Sequence, residues 1–208
     1  MLVRHGESEG NADRAHYETT PDYALNLTAQ GHAQAVQAGT QIKNLIGTES
    51  LFCYLSPYYR TRQTWAGIAS QIEEHIFRAF EDPRLRELDW GHLRHPDDNQ
   101  VIINARKKFS TFYYRIPDGE SGADVYDRVS SFLESLFRDF RADNYPANTL
   151  IVTHGLTLRL FLMRWFHWSV EEFESLESPD NCQIVVMEQT TEGHYRLTAG
   201  LAKRKILR

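Results

Sequence analysis

Short apolar runs along the chain alternate with longer stretches in which apolar residues recur every third or fourth position. The short runs predict β-strands over residues 1–3, 52–56, 76–80, 150–152, 183–187 and 194–198. The run at 150–152 is apolar throughout, which is typical of a strand covered on both faces. The spaced pattern predicts helices that each bury one face.

Helix signals mark four stretches: 28–47, 65–72, 121–143 and the apolar residues after 155. Thr28 is a predicted N-cap for a helix that Gly47 ends. Ser121 and Asp124 have the spacing of a capping box at the start of a long helix, which Asn144-Tyr145-Pro146 is expected to end. The predicted buried face of that long helix comprises Val125, Val129, Phe132, Leu133, Leu136, Phe137 and Phe140.

Strands that alternate with helices predict an α/β sandwich with a mostly parallel central sheet. Residues 8–27 have no periodicity and indicate a long functional loop. Residues 92–118 are the least regular part and are expected to form a substrate-pocket or lid insertion. Within them, His92 and His95 lack cysteine partners and are interpreted as exposed loop histidines. No linker or repeat interrupts the chain, so residues 1–208 are predicted to form a single domain.

Composition narrows the function classes. The net charge is −5, from 23 basic and 28 acidic residues, so no overall positive field attracts nucleic acid and an anionic substrate needs a local basic pocket. The most apolar stretch, 156–168, is interrupted by Arg159 and Arg164 and is too short to span a bilayer. Cys53 and Cys182 are predicted to be buried free thiols inside strand-like runs. We therefore expect a cytoplasmic protein with no integral membrane segment and no signal peptide.

Candidate chemistry begins at Arg4-His5-Gly6. Successive strand residues point to opposite faces, so Arg4 and His5 can reach one ligand only if the chain turns, and Gly6 permits that turn. An imidazole can act as a nucleophile, and a guanidinium binds phosphate through two parallel hydrogen bonds. Alone, an Arg-His dipeptide near a terminus is more typical of a solvated strand end than of a functional site. So few residues precede it that either the sequence shown starts late or the first strand is short.

Several polar side chains that could act on phosphate come at or just after the ends of predicted strands: His5, Ser56, Glu87 and His154. The carboxyl ends of parallel strands meet at one edge of a sheet, where helix N-termini favour anions. Arg60 lies at the predicted helix start after Ser56 and fits the same anion site. Taken singly, Glu87 would be an ordinary loop carboxylate and His154 a core histidine. Together these residues predict a site that binds a phosphate group.

The ordered set of motifs resembles the histidine phosphatase superfamily, in its phosphoglycerate mutase-like branch. The matching residues are Arg4-His5-Gly6-Glu7, Asn11, Leu27-Thr28-x-x-Gly31, Arg60 in Ser-x-x-x-Arg-x-x-x-Thr, Glu87, Gly119-Glu120-Ser121 and His154-Gly155. The resemblance implies a three-layer α/β/α sandwich with a mostly parallel central sheet, of the phosphoglycerate mutase type. It covers nearly the whole chain.

The resemblance also implies roles for the cationic and imidazole groups. His5 would attack phosphorus and form a phosphohistidine, its ring held by a hydrogen bond from the other ring nitrogen. Arg4 and Arg60 would neutralise the phosphoryl oxygens. His154 would face His5 and bind the transferring group as a charged donor.

For the remaining groups, the resemblance selects Glu87 as the acid that protonates the leaving oxygen and the base that then activates water, with Asp89 as the fallback. Asn11 and Gly155 would bind phosphate or substrate. The Gly119-Glu120-Ser121 signature is expected to be structural, because it turns the chain and caps the long helix.

Mutases of this family typically follow the glutamate with an Asn-Glu-Arg-His-Tyr-Gly run. Here the segment is Leu88-Asp89-Trp90-Gly91-His92, which favours hydrolysis of phosphate monoesters of small metabolites. Two alternatives stay open. One is a cofactor-dependent phosphoglycerate mutase, and the other is an inactive family member that acts as a binding module.

Partners and cofactors follow from the same residues. Arg4 and Arg60 already supply the positive charge that a cation would bring, so no metal is expected, and no nucleotide-binding motif or other cofactor signal is found. The expected partner is a small phosphorylated substrate, and the chain could be a monomer or a dimer. Four basic residues could steer the substrate or form a solvated face: Arg106, Lys107, Lys108 and Arg115.

Overall fold

The chain, seen in a computed structural model that describes residues 1–91 and 96–203 and the side chains of all of these except 96–99, is built around one six-stranded sheet. The strands are β1 (Leu2–Arg4), β2 (Leu51–Leu55), β3 (Ile76–Glu81), β4 (Asn148–Thr153), β5 (Ile184–Gln189) and β6 (Tyr195–Ala199). Their order in the sheet is β3-β2-β4-β1-β5-β6. The first four are parallel, whereas β5 and β6 extend the sheet in antiparallel fashion. The mostly parallel sheet is therefore confirmed.

Seven helices are described: α1 (Glu9–Ala12), α2 (Ala29–Ile46), α3 (Tyr59–Ala69), α4 (Pro96–Phe109), α5 (Gly122–Asp139), α6 (Gly155–Phe166) and α7 (Val170–Ser175). Short helical turns occupy Arg14–Glu18, Asp22–Ala24, Glu73–His75 and Pro83–Leu85. Within the described ranges, no helix combines the length and apolar character needed to cross a membrane.

Successive side chains of the strands pack into two hydrophobic cores, one on each face of the sheet. Leu2 and Ile151 face the core formed with α5 and α6, where Phe132 and Phe161 are buried. Val3 and the other strand residues of opposite parity face the core formed with α2 and α3. Helices thus cover both faces of the sheet, which gives the three-layer sandwich expected from the sequence.

The predicted helix ends are confirmed where a side chain or a glycine sets them. The Thr28 hydroxyl accepts a hydrogen bond from the Gly31 amide at 3.0 Å, and Gly47 ends α2 with φ of 60°. Ser121 and Asp124 form the predicted capping box of α5.

Three expectations about the helices were wrong. The segment 92–118 contains a regular helix, α4, which begins at Pro96 and has basic residues in its last turn. Because its composition is mostly polar, the sequence showed no helical pattern there. Helix α5 ends at Asp139, well before Asn144, and Phe137 on its last turn is 44% exposed instead of buried. Helix α3 ends at Ala69, so Ile72 is buried just outside it.

Two smaller points concern the loops and the thiols. The loop at 8–27 contains α1 and two of the short turns, and His92 and His95 lie outside the described residues. Both cysteines are free, as predicted, but only Cys53 is buried and lies in a strand, whereas Cys182 is partly exposed. Cys182 sits in a turn before β5 with φ of 56°, because the chain reverses there to run antiparallel to β1.

Candidate active site

The first strand and its parallel neighbour bring two histidines together. Arg4 at the end of β1 is in register with Thr153 at the end of β4, and the His5 amide donates to the Thr153 carbonyl at 2.9 Å. His5 and His154 therefore leave the sheet side by side. Their ring centroids are 5.2 Å apart, with an interplanar angle of 62°.

The His5 ring is held in one orientation. Its Nδ1 lies 2.7 Å from the Gly6 carbonyl oxygen, which can only accept a hydrogen bond, so Nδ1 carries the proton and Nε2 has the free lone pair. The ring is 4% exposed. Burial, followed by the charges of Arg60 and Arg4, lowers the pKa of His5 well below its usual value. His5 is thus a neutral imidazole with a nucleophilic nitrogen.

His154 is fully buried at the N-cap of α6 and is not part of the cavity wall. Its Nε2 lies 2.8 Å from the Ser56 hydroxyl, while its Nδ1 is buried and has no hydrogen-bond partner among the described residues. Burial, followed by the charge of Arg60, lowers the pKa of His154 well below its usual value. The charged donor expected from the family resemblance is therefore not what this environment favours.

Two guanidinium groups flank the histidines. Arg4 donates from Nη1 to the Pro179 carbonyl at 2.7 Å, and within the ranges that the structure describes its buried Nε has no hydrogen-bond partner. Burial lowers the pKa of Arg4, against the opposing effect of Glu87. Arg60, in the first turn of α3, is 3% exposed and lies over the Tyr58 ring. Both can present N–H groups to an anion.

Glu87 reaches the site from the segment after Pro83–Leu85, and not directly from a strand end as expected. Its Oε1 accepts from the Leu88 amide at 2.9 Å and lies 3.2 Å from the Thr157 hydroxyl. Its Oε2 accepts from the Leu156 amide at 3.3 Å. The Leu156 amide, in the first turn of α6, thus holds this carboxylate in place.

The backbone that carries Glu87 is fixed by a residue that sequence reasoning missed. Arg128 donates to the carbonyls of Arg84 and Arg86 at 2.6 and 2.8 Å, and to that of Glu87 at 3.1 Å. Glu120 in turn accepts from Arg128 and from Arg86. The predicted structural role of the Gly119-Glu120-Ser121 signature therefore includes this ion-pair network.

A second missed residue is Asn181. Its Nδ2 donates to the His5 carbonyl at 3.0 Å and to Asn11 Oδ1 at 3.1 Å. Asn11 also accepts from the Ser8 amide and lines the cavity, as does Gly155 beside the Arg4 side chain. No motif signals Asn181 in the sequence, because it arrives by the turn that precedes β5.

A cavity of about 810 Å³ opens over these groups. His5, Arg4, Arg60, Glu87 and Asp89 line it, together with an aromatic wall of Tyr17, Tyr23, Tyr58 and Trp90. Of the four basic residues left open by the sequence, Arg106 lines the cavity, 8% exposed and with its guanidinium over Trp90, so it is not part of a solvated face. The other three are exposed, and Arg115 pairs with Asp124.

Among the residues that the structure describes, no group of three or more His, Cys, Asp or Glu side chains is arranged to hold a metal ion. Positive charge at the cavity comes instead from guanidinium groups.

The family model of the histidine phosphatase superfamily (branch 1) matches residues 1–199. The chain belongs to this superfamily. It is 45% identical to phosphoglycerate mutase-like protein AT74 of Arabidopsis thaliana, over 95% of this chain and 66% of that protein. It is 41% identical to protein AT74H of the same plant, over 100% of this chain and 79% of that protein. The chain thus spans about two thirds to four fifths of these relatives.

A more distant relative is broad-range acid phosphatase DET1 of Saccharomyces cerevisiae, 29% identical over 90% of this chain and 84% of the yeast protein. Among solved structures, mycobacterial hydrolase 1 has a TM-score of 0.77 at 19% identity, covering 98% of both chains. A mycobacterial glucosyl-3-phosphoglycerate phosphatase has a TM-score of 0.75 at 20% identity, covering 97% of this chain and 98% of that one. These structures share the histidine phosphatase fold. Family membership and the phosphatase names of such relatives support an enzyme.

Proposed function

We propose that this member of the superfamily is a phosphatase that hydrolyses phosphate monoesters of small metabolites through a phosphohistidine at His5. The observation that carries the proposal is the state of the His5 ring, with Nδ1 committed to the Gly6 carbonyl and Nε2 left as a lone pair beside His154. Arg4 and Arg60 line the same cavity as His5, and after burial their charges also lower the pKa of His5, which supports their assignment to the same phosphoryl group.

In the first step, the Nε2 lone pair of His5 attacks phosphorus, and the bond from phosphorus to the ester oxygen breaks. Glu87, which takes up a proton from solution before the step, transfers it to the departing alkoxide, which leaves as an alcohol. Arg4 and Arg60 donate to the phosphoryl oxygens as charge builds on them. The products of this step are a phosphohistidine and a Glu87 carboxylate.

In the second step, Glu87 takes a proton from water, and the resulting hydroxide attacks phosphorus. The phosphorus–nitrogen bond breaks, orthophosphate forms, and Nε2 of His5 regains its lone pair, while Nδ1 keeps its proton and still donates it to the Gly6 carbonyl. Glu87 is again protonated, so every group returns to its starting state. His154 lies beside the His5 ring, and its Nδ1 has no hydrogen-bond partner in the described part of the chain.

Hydrolysis is favoured over phosphoglycerate mutase activity by the segment Leu88-Asp89-Trp90-Gly91, which lacks the residues typical of mutases. The name of the yeast relative, a broad-range acid phosphatase, points the same way, whereas the Arabidopsis relatives are named for the mutase. The intact set of His5, Arg4, Arg60, Glu87 and His154 argues against an inactive binding module. The two free thiols support a cytoplasmic location.

Incubation with 3-phosphoglycerate and with a panel of phosphate monoesters tests the proposal. We expect release of inorganic phosphate from several esters, and no release by the His5→Ala variant. Exchange between 3-phosphoglycerate and 2-phosphoglycerate without phosphate release would establish the mutase instead. A lack of turnover with every ester, by a folded protein, would favour the binding module.

A further inference from the structure

The Arg60 guanidinium is already engaged by one residue of the 8–27 loop, Asp22. Nη1 of Arg60 donates to the Asp22 carbonyl oxygen at 2.5 Å and lies 3.0 Å from Oδ1 of the same residue. Nη2 donates to Oδ2 at 3.3 Å. The catalytic steps described above do not use Asp22, yet its carboxylate sits on the guanidinium assigned to the phosphoryl group.

A carboxylate and a phosphoryl group bind a guanidinium in the same way, with two oxygens on two N–H groups in one plane. They therefore compete for the same nitrogens. Two anions that face one guanidinium in a poorly solvated cavity also repel each other. Here the Arg60 side chain is 4% exposed and that of Asp22 27%, so water screens this repulsion only in part.

We propose that the Asp22 carboxylate is an internal competitor for the phosphoryl group at Arg60, and that taking up a proton or turning aside releases Arg60 to the substrate. This inference rests on the proposed function, because it takes Arg60 to be a phosphate ligand. Its consequence is that the affinity for phosphate falls as Asp22 ionises.

The surroundings of Asp22 favour its neutral form more than those of an ordinary aspartate. Burial raises its pKa, Glu87 and Asp89 across the cavity act in the same direction, and Arg60 opposes them. Two phenols line the same cavity: burial, followed by the charge of Asp22, raises the pKa of Tyr17 and of Tyr58 to about 12.

The Oδ1 atom of Asp22 gives a structural reason for the same preference. It is buried, and its contact with Arg60 lacks hydrogen-bond geometry, so the charge pairing is incomplete. A bound phosphate dianion adds negative charge beside the carboxylate. Phosphate and the proton on Asp22 are therefore expected to bind with positive coupling.

Asp22 contacts Arg60 in two separate ways: its backbone carbonyl positions the guanidinium, and its side chain competes with phosphate. Arg60 keeps its hydrogen bond to the Asp22 carbonyl whatever the side chain is. The chain beyond is anchored by Leu25, which is fully buried, and by Asn26, which accepts from Gln63 of α3 at 2.9 Å. Release of Arg60 thus needs only a rotation of the Asp22 side chain, and Asp22→Asn removes the charge without changing the shape.

The test is titration calorimetry of the full chain with inorganic phosphate, at several values between about pH 5 and pH 8. Near pH 8 we expect Asp22→Asn to bind phosphate about tenfold more tightly than the wild type, and the gain to shrink towards pH 5. Asp22→Ser is the second variant and keeps the backbone contact. Asp89→Asn, which removes another cavity carboxylate that is not hydrogen-bonded to Arg60, is the control and should give a smaller gain.

The inference is overturned if Asp22→Asn and Asp22→Ser bind phosphate no better than the wild type near pH 8. An equal gain at every pH, or an equal gain in Asp89→Asn, would overturn it as well. Arg4→Ala distinguishes this failure from that of the proposed function. If Arg4→Ala abolishes phosphate binding while Asp22 has no effect, only the competition is wrong; if phosphate binds equally well without Arg4, the phosphate site itself is wrong.

Discussion

The imidazole of His154 is connected to Ser56 by a 2.8 Å contact between Nε2 and the hydroxyl oxygen. Ser56 follows β2 and His154 follows β4, and these two strands are parallel neighbours. The contact is buried on both sides, since each residue is 0% exposed. Ser56 therefore sets which way the His154 ring faces His5, and it is a positioning residue for that ring.

Removal of this hydroxyl should weaken catalysis without abolishing it. For Ser56→Ala we expect kcat to fall about fivefold, which corresponds to roughly 1 kcal/mol for one lost hydrogen bond, while KM changes little. Steady-state kinetics on one phosphate ester measures this. Ser70→Ala, on the exposed end of α3, is the control and should behave like the wild type. An unchanged kcat in Ser56→Ala would show that the ring needs no such support.

The two acidic residues that line the cavity can be told apart by kinetics. Glu87→Gln should lower kcat by about 10²- to 10⁴-fold, because it removes the proton donor and the base. With p-nitrophenyl phosphate, whose leaving group needs no proton, the phosphoenzyme should still form and then accumulate. Asp89→Asn is the matched comparison, since its carboxylate accepts from the Gly91 amide at 2.8 Å. A larger loss in Asp89→Asn than in Glu87→Gln would transfer the acid–base role to Asp89.

Gly6 is required where the turn after β1 passes close to the start of α2. A Cβ at this position would lie 2.5 Å from the Gly31 carbonyl oxygen, which belongs to the backbone and cannot rotate away. Gly6→Ala should lower the free energy of unfolding by about 1–3 kcal/mol, as overpacking does elsewhere. Gly200→Ala is the control, because its Cβ would meet only ordinary contacts, 3.6 Å from Leu197. Urea unfolding of both variants compares them, and equal stabilities would contradict the close approach.

The buried histidines make a prediction about stability against pH. Burial, followed by the charge of Arg60, lowers the pKa of both His5 and His154, whereas in the unfolded chain histidine titrates near its usual value of about 6.5. The unfolded chain therefore binds more protons below that pH. The stabilisation is complete above about pH 6.5 and is lost as pH falls from there through the lower pKa values of the folded state.

Urea unfolding near pH 7.5 and near pH 5.5 measures this effect. We expect the wild type to lose stability at the lower pH, and His154→Gln to lose less because one buried imidazole is gone. His194→Gln, at an exposed site in the turn between β5 and β6, should keep the dependence of the wild type. An identical loss in all three proteins would mean that His154 is not the source.

Much of this architecture could be predicted from local sequence. Thr28 and Ser121 cap their helices through side chains within three residues, so the pattern alone contains the contact. The meeting of His5 and His154 follows from two short apolar strands of one parallel sheet, each ending just before a histidine. Local chemistry and strand order were sufficient for these features.

The rest depends on tertiary packing that has no local signal. Asn181, Arg128 and Asp22 reach the site from a turn, a helix face and a loop, and none of them stands in a recognisable motif. Helix α4 was missed because its pattern is mostly polar. Phe137 was misplaced because the last turn of α5 extends past the core, so helical spacing no longer implies burial there.

The most direct test of the central claim is to find the phosphoryl group on the enzyme. The protein is mixed with a phosphate ester, denatured in alkali within its first turnovers, and digested for mass spectrometry. The account predicts a phosphate that is stable to alkali, labile to acid and located on His5, and that is absent from His5→Ala. Turnover without any phosphoenzyme, or a phosphate on another residue, would contradict it.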